Sequence, residues 1–223
     1  MQRLDLYRPI HKAIRLCLLN TVTRVGNLDE TLDAEVREAA EAVRGLLAML
    51  AAHIINEDVV HRAIERRCPG ASAALAHAHE EHAAELRHLE DAVGRLESAA
   101  ANERQPLAHA LYLELARFAG ENLAHMNIEE TQMNPLLWSL FSESELYDVY
   151  NQILAAEPPE QLAAGVRWLV PALTHAERVA VIEGARAGIP PAVFEQLVLG
   201  TRVLLSERDF VRLCASLGME QAA

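Results

Sequence analysis

Alanine and leucine mixed with charged residues fill most of the chain, in long stretches closed by glycine, proline or a short polar run. That pattern predicts a succession of helices. A first helix is expected over about Leu6–Val25, stopping at Gly26, a natural residue just past a helix end. A second, much longer, runs from about Leu32 to Arg66 and is ended by Pro69-Gly70. Ser72 is placed to cap a third, which reaches about Ala100. After the polar stretch Asn102-Glu103-Arg104-Gln105, Pro106 suits the first turn of a fourth helix reaching about Thr131. Long helices with short connections become antiparallel neighbours, so residues 1–157 are expected to form an up-down-up-down four-helix bundle.

Beyond Asn134 the pattern is choppier. Pro135 should break the chain there, and Ser142-Glu143-Ser144-Glu145 is a capping box opening a helix to about Ala155. Pro158-Pro159 marks a boundary. Thr174-His175-Ala176-Glu177 is a second capping box, and Pro190-Pro191 and Ser206 each start a further helix. Residues 158–223 therefore read as a short helical C-terminal extension packed on the bundle. The fold class expected is all-α.

Composition agrees. Half the chain is hydrophobic (51%) and only 4% is aromatic, and β-branched runs are scarce, as helices prefer. Twenty basic against thirty-two acidic residues give a formal charge of −12, which repels phosphate backbones and anionic lipids. Neither nucleic acid nor a membrane surface is an expected partner. The longest apolar run, Leu46–Ile55, is too short to span a bilayer and is interrupted by His53, and Asp5 sits where a signal peptide needs an apolar core. Cys17, Cys68 and Cys214 are odd in number and scattered, which fits reduced thiols in a cytoplasmic protein and neither a disulfide framework nor a thiolate metal site.

The chemistry lies in the histidines. His53-Ile54-Ile55-Asn56-Glu57 on the second helix and His125-Met126-Asn127-Ile128-Glu129 on the fourth are two copies of His-x-x-x-Glu. Four residues make about one helical turn, so each imidazole shares a face with its carboxylate and the pair can bind one metal or bridge two. The first helix offers His11, and the third offers His77, His79, His82 and His88. Counted from the connecting turns, His53, Glu57, His79, His82 and His125 fall at one height in an antiparallel bundle, to within a few Å at about 1.5 Å per residue. A single such pair is commonplace on a helix surface. Two pairs level with histidines of a third helix are not, and burying them without a metal would be costly. Imidazole and carboxylate without thiolate suit iron, and manganese or zinc less specifically.

Taken together, Tyr7-Arg8-Pro9-Ile10-His11-Lys12-Ala13-Ile14-Arg15, His53-x-x-x-Glu57-Asp58, the histidine-rich run of the third helix, and His125-x-x-x-Glu129-Glu130 followed by Asn134-Pro135-Leu136-Leu137 resemble the hemerythrin-like, or HHE cation-binding, family over residues 5 to about 150. The resemblance implies a four-helix bundle around two irons, oxo- or hydroxo-bridged, that bind dioxygen or a related small ligand. Carried over, His11, His53, His125 and a third-helix histidine are terminal ligands, and Glu57 and Glu129 are the bridges. Of the third-helix residues, His79 and His82 should both face the cavity, one as ligand and the other as a fifth imidazole or a donor behind it, with the preference for His82; His77 should face away. Oxygen-carrying members place two third-helix histidines four apart, where His79 and His82 are three apart, and use an Asp five residues after the fourth-helix histidine, where Glu129 follows His125 by four. These departures point to the regulatory and repair branches of the family.

The leading expectation is a non-haem di-iron protein that binds or senses dioxygen, nitric oxide or peroxide. Alternatives are a di-iron enzyme for peroxide removal or iron–sulfur cluster repair, and a metal-free helical interaction module. No general base or organic-substrate pocket stands out. His61, one turn beyond Glu57, reads as a polar cap of the cavity, and Glu121 as either an orienting group for His125 or a solvated side chain. His88, His109 and His175 read as surface residues, and Arg62, Glu65, Arg66 and Arg67 as a solvated helix end.

Overall fold

Where apolar side chains recur every three to four residues the backbone coils so that they share a face, and this governs the molecule from end to end. The computed structural model describes residues 3–219, and among them regular structure is helical, without strands. Four long helices come first: α1 (Arg8–Gly26), α2 (Asp33–Arg67), α3 (Ala73–Ser98) and α4 (Arg104–Ile128). A π-helical turn over Glu129–Met133 leads into α5 (Asn134–Leu140), and α6 (Glu143–Ala156) follows. Then come α7 (Pro159–Ala172), α8 (His175–Arg186), α9 (Pro191–Gly200) and, after a short 3-10 turn, α10 (Glu207–Ser216).

The contacts divide the chain into two units. One consists of Ile14–Glu157 with the segment ending at Arg8; the other consists of the residues from Pro158 on, with Pro9–Ala13.

In the first unit, α2 lies against α3 and α3 against α4. Their directions follow from the side-chain pairs. Arg44 reaches Glu90 and Glu97, while Glu57 further along α2 meets His79 near the start of α3. Glu85 and His88 of α3 meet Arg117 and Glu114 of α4, and His79 meets His125. Both neighbours are therefore antiparallel. Gly26 at the end of α1 lies so close to α4 that an added Cβ would stand 2.9 Å from the Tyr112 ring. The interior is closed by fully buried Ile14, Leu18, Leu46, Leu96, Leu111, Leu115 and Phe118. A second apolar cluster gathers Val60, Ala63 and Ile64 of α2 with Tyr7, Leu137, Phe141, Leu146 and Val149.

The turn between α2 and α3 differs from expectation in detail. Ser72 does not cap α3 with its side chain. Its hydroxyl donates to Glu65 at 2.7 Å, and the same carboxylate accepts from the backbone N–H groups of Gly70 (2.6 Å) and Ser72 (2.8 Å). Glu65 thus holds the reversal together, and Gly70 supplies the positive φ of 86° that it needs. Pro135 does not break the helical path either. The π turn hands the chain to α5 with Pro135 in its first turn, the wider turn before it making room for the ring. Both capping boxes form, Ser142 with Glu145 and Thr174 with Glu177.

The second unit has its own core of Val170, Ile182, Phe194, Val198, Phe210 and Leu213. Arg178 is buried there, and its guanidinium donates to the carbonyls of Val170 and Leu173, which ends α7 without leaving those acceptors bare. No helix among the described residues is long and apolar enough to cross a membrane.

Leu115 is wholly buried, and truncating it leaves a cavity that neighbouring helices cannot fill. Urea denaturation of Leu115→Ala should show a loss of about 2–5 kcal/mol, against about 1 kcal/mol for Ser142→Ala at the start of α6. Equal losses would mean that the packing around Leu115 is loose.

Candidate metal centre

The second helix carries His53, Glu57 and His61 at successive turns of one face, and all three are buried. His125 near the end of α4 and Glu129, the first residue of the π turn, follow the same rule, with Glu129 completely enclosed. His53 Nε2 is 3.1 Å from Glu57 Oε1, and His125 Nε2 is 3.0 Å from Glu129 Oε1, so each His-x-x-x-Glu pair closes on itself across one turn. Opposite them α3 contributes His79. Its Nε2 stands 3.1 Å from Glu57 Oε2, 3.1 Å from His125 Nε2 and 3.7 Å from Glu129 Oε1.

Two groups of ligand-capable atoms result, each lying within 4.8 Å of one another. One comprises Glu57, His79, His125 and Glu129; the other comprises His53, Glu57 and Glu129 with His11 of α1, which is fully buried. Both carboxylates belong to both groups.

The remaining third-helix histidines separate. His82 is not among the grouped ligand atoms, although its ring meets His125 edge-on at 4.8 Å between centroids. His77 is exposed beside Glu80 and Glu81. The expected preference for His82 over His79 is thus not matched by position: His79 has the carboxylates within reach, and His82 forms the wall next to them.

That wall encloses a small space of about 10 Å3, room for about one water molecule. Leu50, Ile54, Leu86, Phe118 and Met126 supply its apolar side, and His53, His79, His82, His125, Glu57 and Asn122 its polar side. Glu130 pairs with Arg15 at 2.5 Å.

Electrostatics describe a cavity built for positive charge. Burial alone would depress the His79 imidazolium, but Glu129 and Glu57 outweigh it and push its pKa up to about 9. Glu129 is pulled up by burial and by Glu57, yet bonds from His125 and His79 prevail and hold it below the usual carboxylate value. His61 and His82 are lowered, mainly by burial, then by neighbouring imidazoles. Tyr7 is raised, first by burial and then by Glu57, Glu129 and Asp5, which places another polar group beside the carboxylates.

The residues fit a metal. The donors are imidazole nitrogen and carboxylate oxygen. Their spacings of 3.0–3.1 Å match the edge of a coordination shell with bonds near 2.1 Å, about 3 Å.

Comparison with protein-family models, curated proteins and solved structures finds no match to this chain.

Two residues at the site are given no role by the sequence: Asp58, which enters only as a member of the second-helix motif and whose Oδ1 is 3.8 Å from the outer nitrogen of His79, and Asn122 on the cavity wall. Asp58 sits next to a motif glutamate, and Asn122 one turn before Met126, but neither spacing distinguishes it from a surface residue. The π turn beginning at Glu129 had no sequence signal beyond Pro135; such turns often mark functional positions.

In the metal-free protein a proton on His79 stands between the carboxylates. Because its folded pKa is raised from 6.5 to about 9, its contribution to stability is complete below about pH 6.5 and disappears as pH rises toward 9. Thermal melts of metal-free protein should therefore fall in Tm across that window, and His79→Gln should flatten the fall. A wild-type Tm that rises from pH 6.5 to 9 would contradict this electrostatic picture.

Proposed function

We propose that the chain is a non-haem iron protein of the hemerythrin-like kind, holding two irons between the helices of an antiparallel four-helix bundle and binding or sensing a small ligand such as dioxygen, nitric oxide or peroxide. The observation that carries this reading is the doubly shared carboxylate pair: Glu57 and Glu129 each belong to two clusters of ligand-capable atoms, with imidazoles completing both. The antiparallel course of α2, α3 and α4, and the approach of α1 to α4 at Gly26, support the bundle.

In this reading His11 and His53 serve one iron, His79 and His125 the other, and the two glutamates bridge. An iron pair supplies redox-active positions at which a small molecule can be held. The protein's part is to orient and to exclude. Glu57 and Glu129 fix the imidazole rings from one side, and the apolar wall of Leu50, Leu86, Phe118 and Met126 keeps bulk water out. His82 borders the cavity with a ring whose pKa burial holds down, so at neutral pH it is a neutral donor or acceptor for whatever occupies the space. The size of that space favours a diatomic or similarly small ligand over an organic substrate. The three free thiols are in line with a reducing, cytoplasmic setting.

Anaerobic titration with ferrous iron followed by air tests the proposal through metal analysis and the near-ultraviolet absorption. About two irons per chain are expected at saturation, as a bridged pair requires. Glu57→Gln and Glu129→Gln should each lower occupancy at least about tenfold at limiting iron, whereas Glu130→Gln, paired with Arg15 instead, should match wild type. A stoichiometry of zero or one in the well-folded wild type would refute the pair.

A further inference from the structure

His61 has no part in the centre just described, yet it is nine-tenths buried or more, at 4% exposure. Neither of its ring nitrogens has a hydrogen-bond partner among the described residues. A buried imidazole left so forgoes the hydrogen bonds it would make to water, so its place calls for a ligand. Its ring stacks on His79 at 5.0 Å between centroids and 21° between planes. Asp58 lies beside both, and ligand atoms of Asp58, His61 and His79 all fall within 4.8 Å of one another.

The orientation of His79 separates this group from the buried one. Its Nε2 faces Glu57, His125 and Glu129, while its Nδ1 faces Asp58 at 3.8 Å. The two nitrogens of one ring thus look into two different sets of donors. The outer set also differs in access. Asp58 is about half exposed, at 48%, and with His61 it lines an open cavity of about 470 Å3. Arg62 and Arg66 on that cavity are offset by Asp58 and Glu65.

We propose that Asp58, His61 and the outer nitrogen of His79 form a second, solvent-facing site that captures a divalent transition-metal cation before it reaches the buried carboxylates. Two imidazoles and one carboxylate leave positions open for water, a donor set suited to ferrous iron, cobalt or zinc. The cation binds neutral imidazole, so capture releases whatever proton the rings hold and leaves oxidation states unchanged. Because a neutral imidazole offers one lone pair, His79 serves the outer cation through Nδ1 or the inner one through Nε2, never both. The outer site is therefore filled while the inner is empty and gives up its cation as the inner fills. Only this last transfer rests on the proposed function; capture itself does not.

Cobalt(II) is the probe, followed by its visible ligand-field bands and by metal analysis of the full chain. The Glu57→Gln/Glu129→Gln double variant, which removes the inner carboxylates, should hold one cobalt, and adding His61→Phe or Asp58→Asn should weaken that cobalt at least tenfold. In the otherwise native chain His61→Phe and Asp58→Asn should reach the wild-type final occupancy but load at least tenfold more slowly, a kinetic readout that needs no inner-site substitution. A double variant that is helical yet binds no cobalt, or binds one indifferent to His61 and Asp58, overturns the site. So does a lower final occupancy in His61→Phe, which would make His61 a ligand of the inner centre. If wild type never holds more than one cobalt and that one depends on His61, the inner pair fails and the outer site stands.

Discussion

Two carboxylates, Glu57 and Glu129, lie almost fully out of water within one small volume, at 4% and 0% exposure, and the structure around them follows from that constraint. Burying one carboxylate without compensation is prohibitive, and two such charges side by side are worse. The fold answers with imidazoles from α2, α3 and α4, and with Tyr7 nearby. In the absence of a metal a proton on His79 supplies part of the missing positive charge, which is why its pKa climbs to about 9. That single proton cannot neutralise two carboxylates. The remaining negative charge is what a cation held among these donors would offset.

The constraint also explains which parts were legible in the sequence. The His-x-x-x-Glu pairs were readable because helical geometry fixes the relation between residues four apart, whatever happens elsewhere. Both pairs close to within 3.1 Å. The long helices and the two capping boxes were readable for the same reason, since their signals are local. Distances between helices are another matter. His79 and His82 differ by about 300° around the helix axis, so a shift of less than a turn in how α3 rotates against α2 and α4 exchanges their roles. Nothing local records that rotation. It is set by side-chain packing along the whole interface, including Leu75, Leu86, Leu89, Val93 and Leu96, and it favours His79 for contact with the carboxylates.

The π turn at Glu129–Met133 shows the same divide between local and tertiary causes. From the sequence Pro135 is a stop, because a proline inside an α-helix loses a bond and clashes with the preceding turn. One wider turn before it accommodates the ring and lets the helical path run on into α5. The adjustment begins at Glu129 itself, so the one-turn relation of Glu129 to His125 is kept while the chain beyond it is re-aimed. Trp138 then reaches back to donate to the Leu4 carbonyl at 2.8 Å, and Phe141 and Leu137 join the cluster around Tyr7 and Ile64. The wider turn thus serves both the ligands before it and the packing after it.

Charge is distributed to the same end. The chain is acidic by twelve, and several of its acids at or near the surface are engaged by arginines: Glu85 and Glu121 by Arg117, Glu90 and Glu97 by Arg44, Glu145 by Arg67. Such exposed pairs contribute little to stability individually. Their stronger effect is to pin helix faces in register, because each of these arginines joins two helices: Arg44 couples α2 to α3, Arg117 couples α3 to α4, and Arg67 couples α2 to α6. A centre whose donors must meet within a few tenths of an ångström from three helices depends on that register more than on any single contact. The net acidity left over attracts cations toward the surface in general, while only the buried cluster of imidazoles and carboxylates offers them a closed shell. Long-range attraction and short-range donors are thereby carried by different residues, and among the surface charges it is the pairs that join helices on which the centre depends.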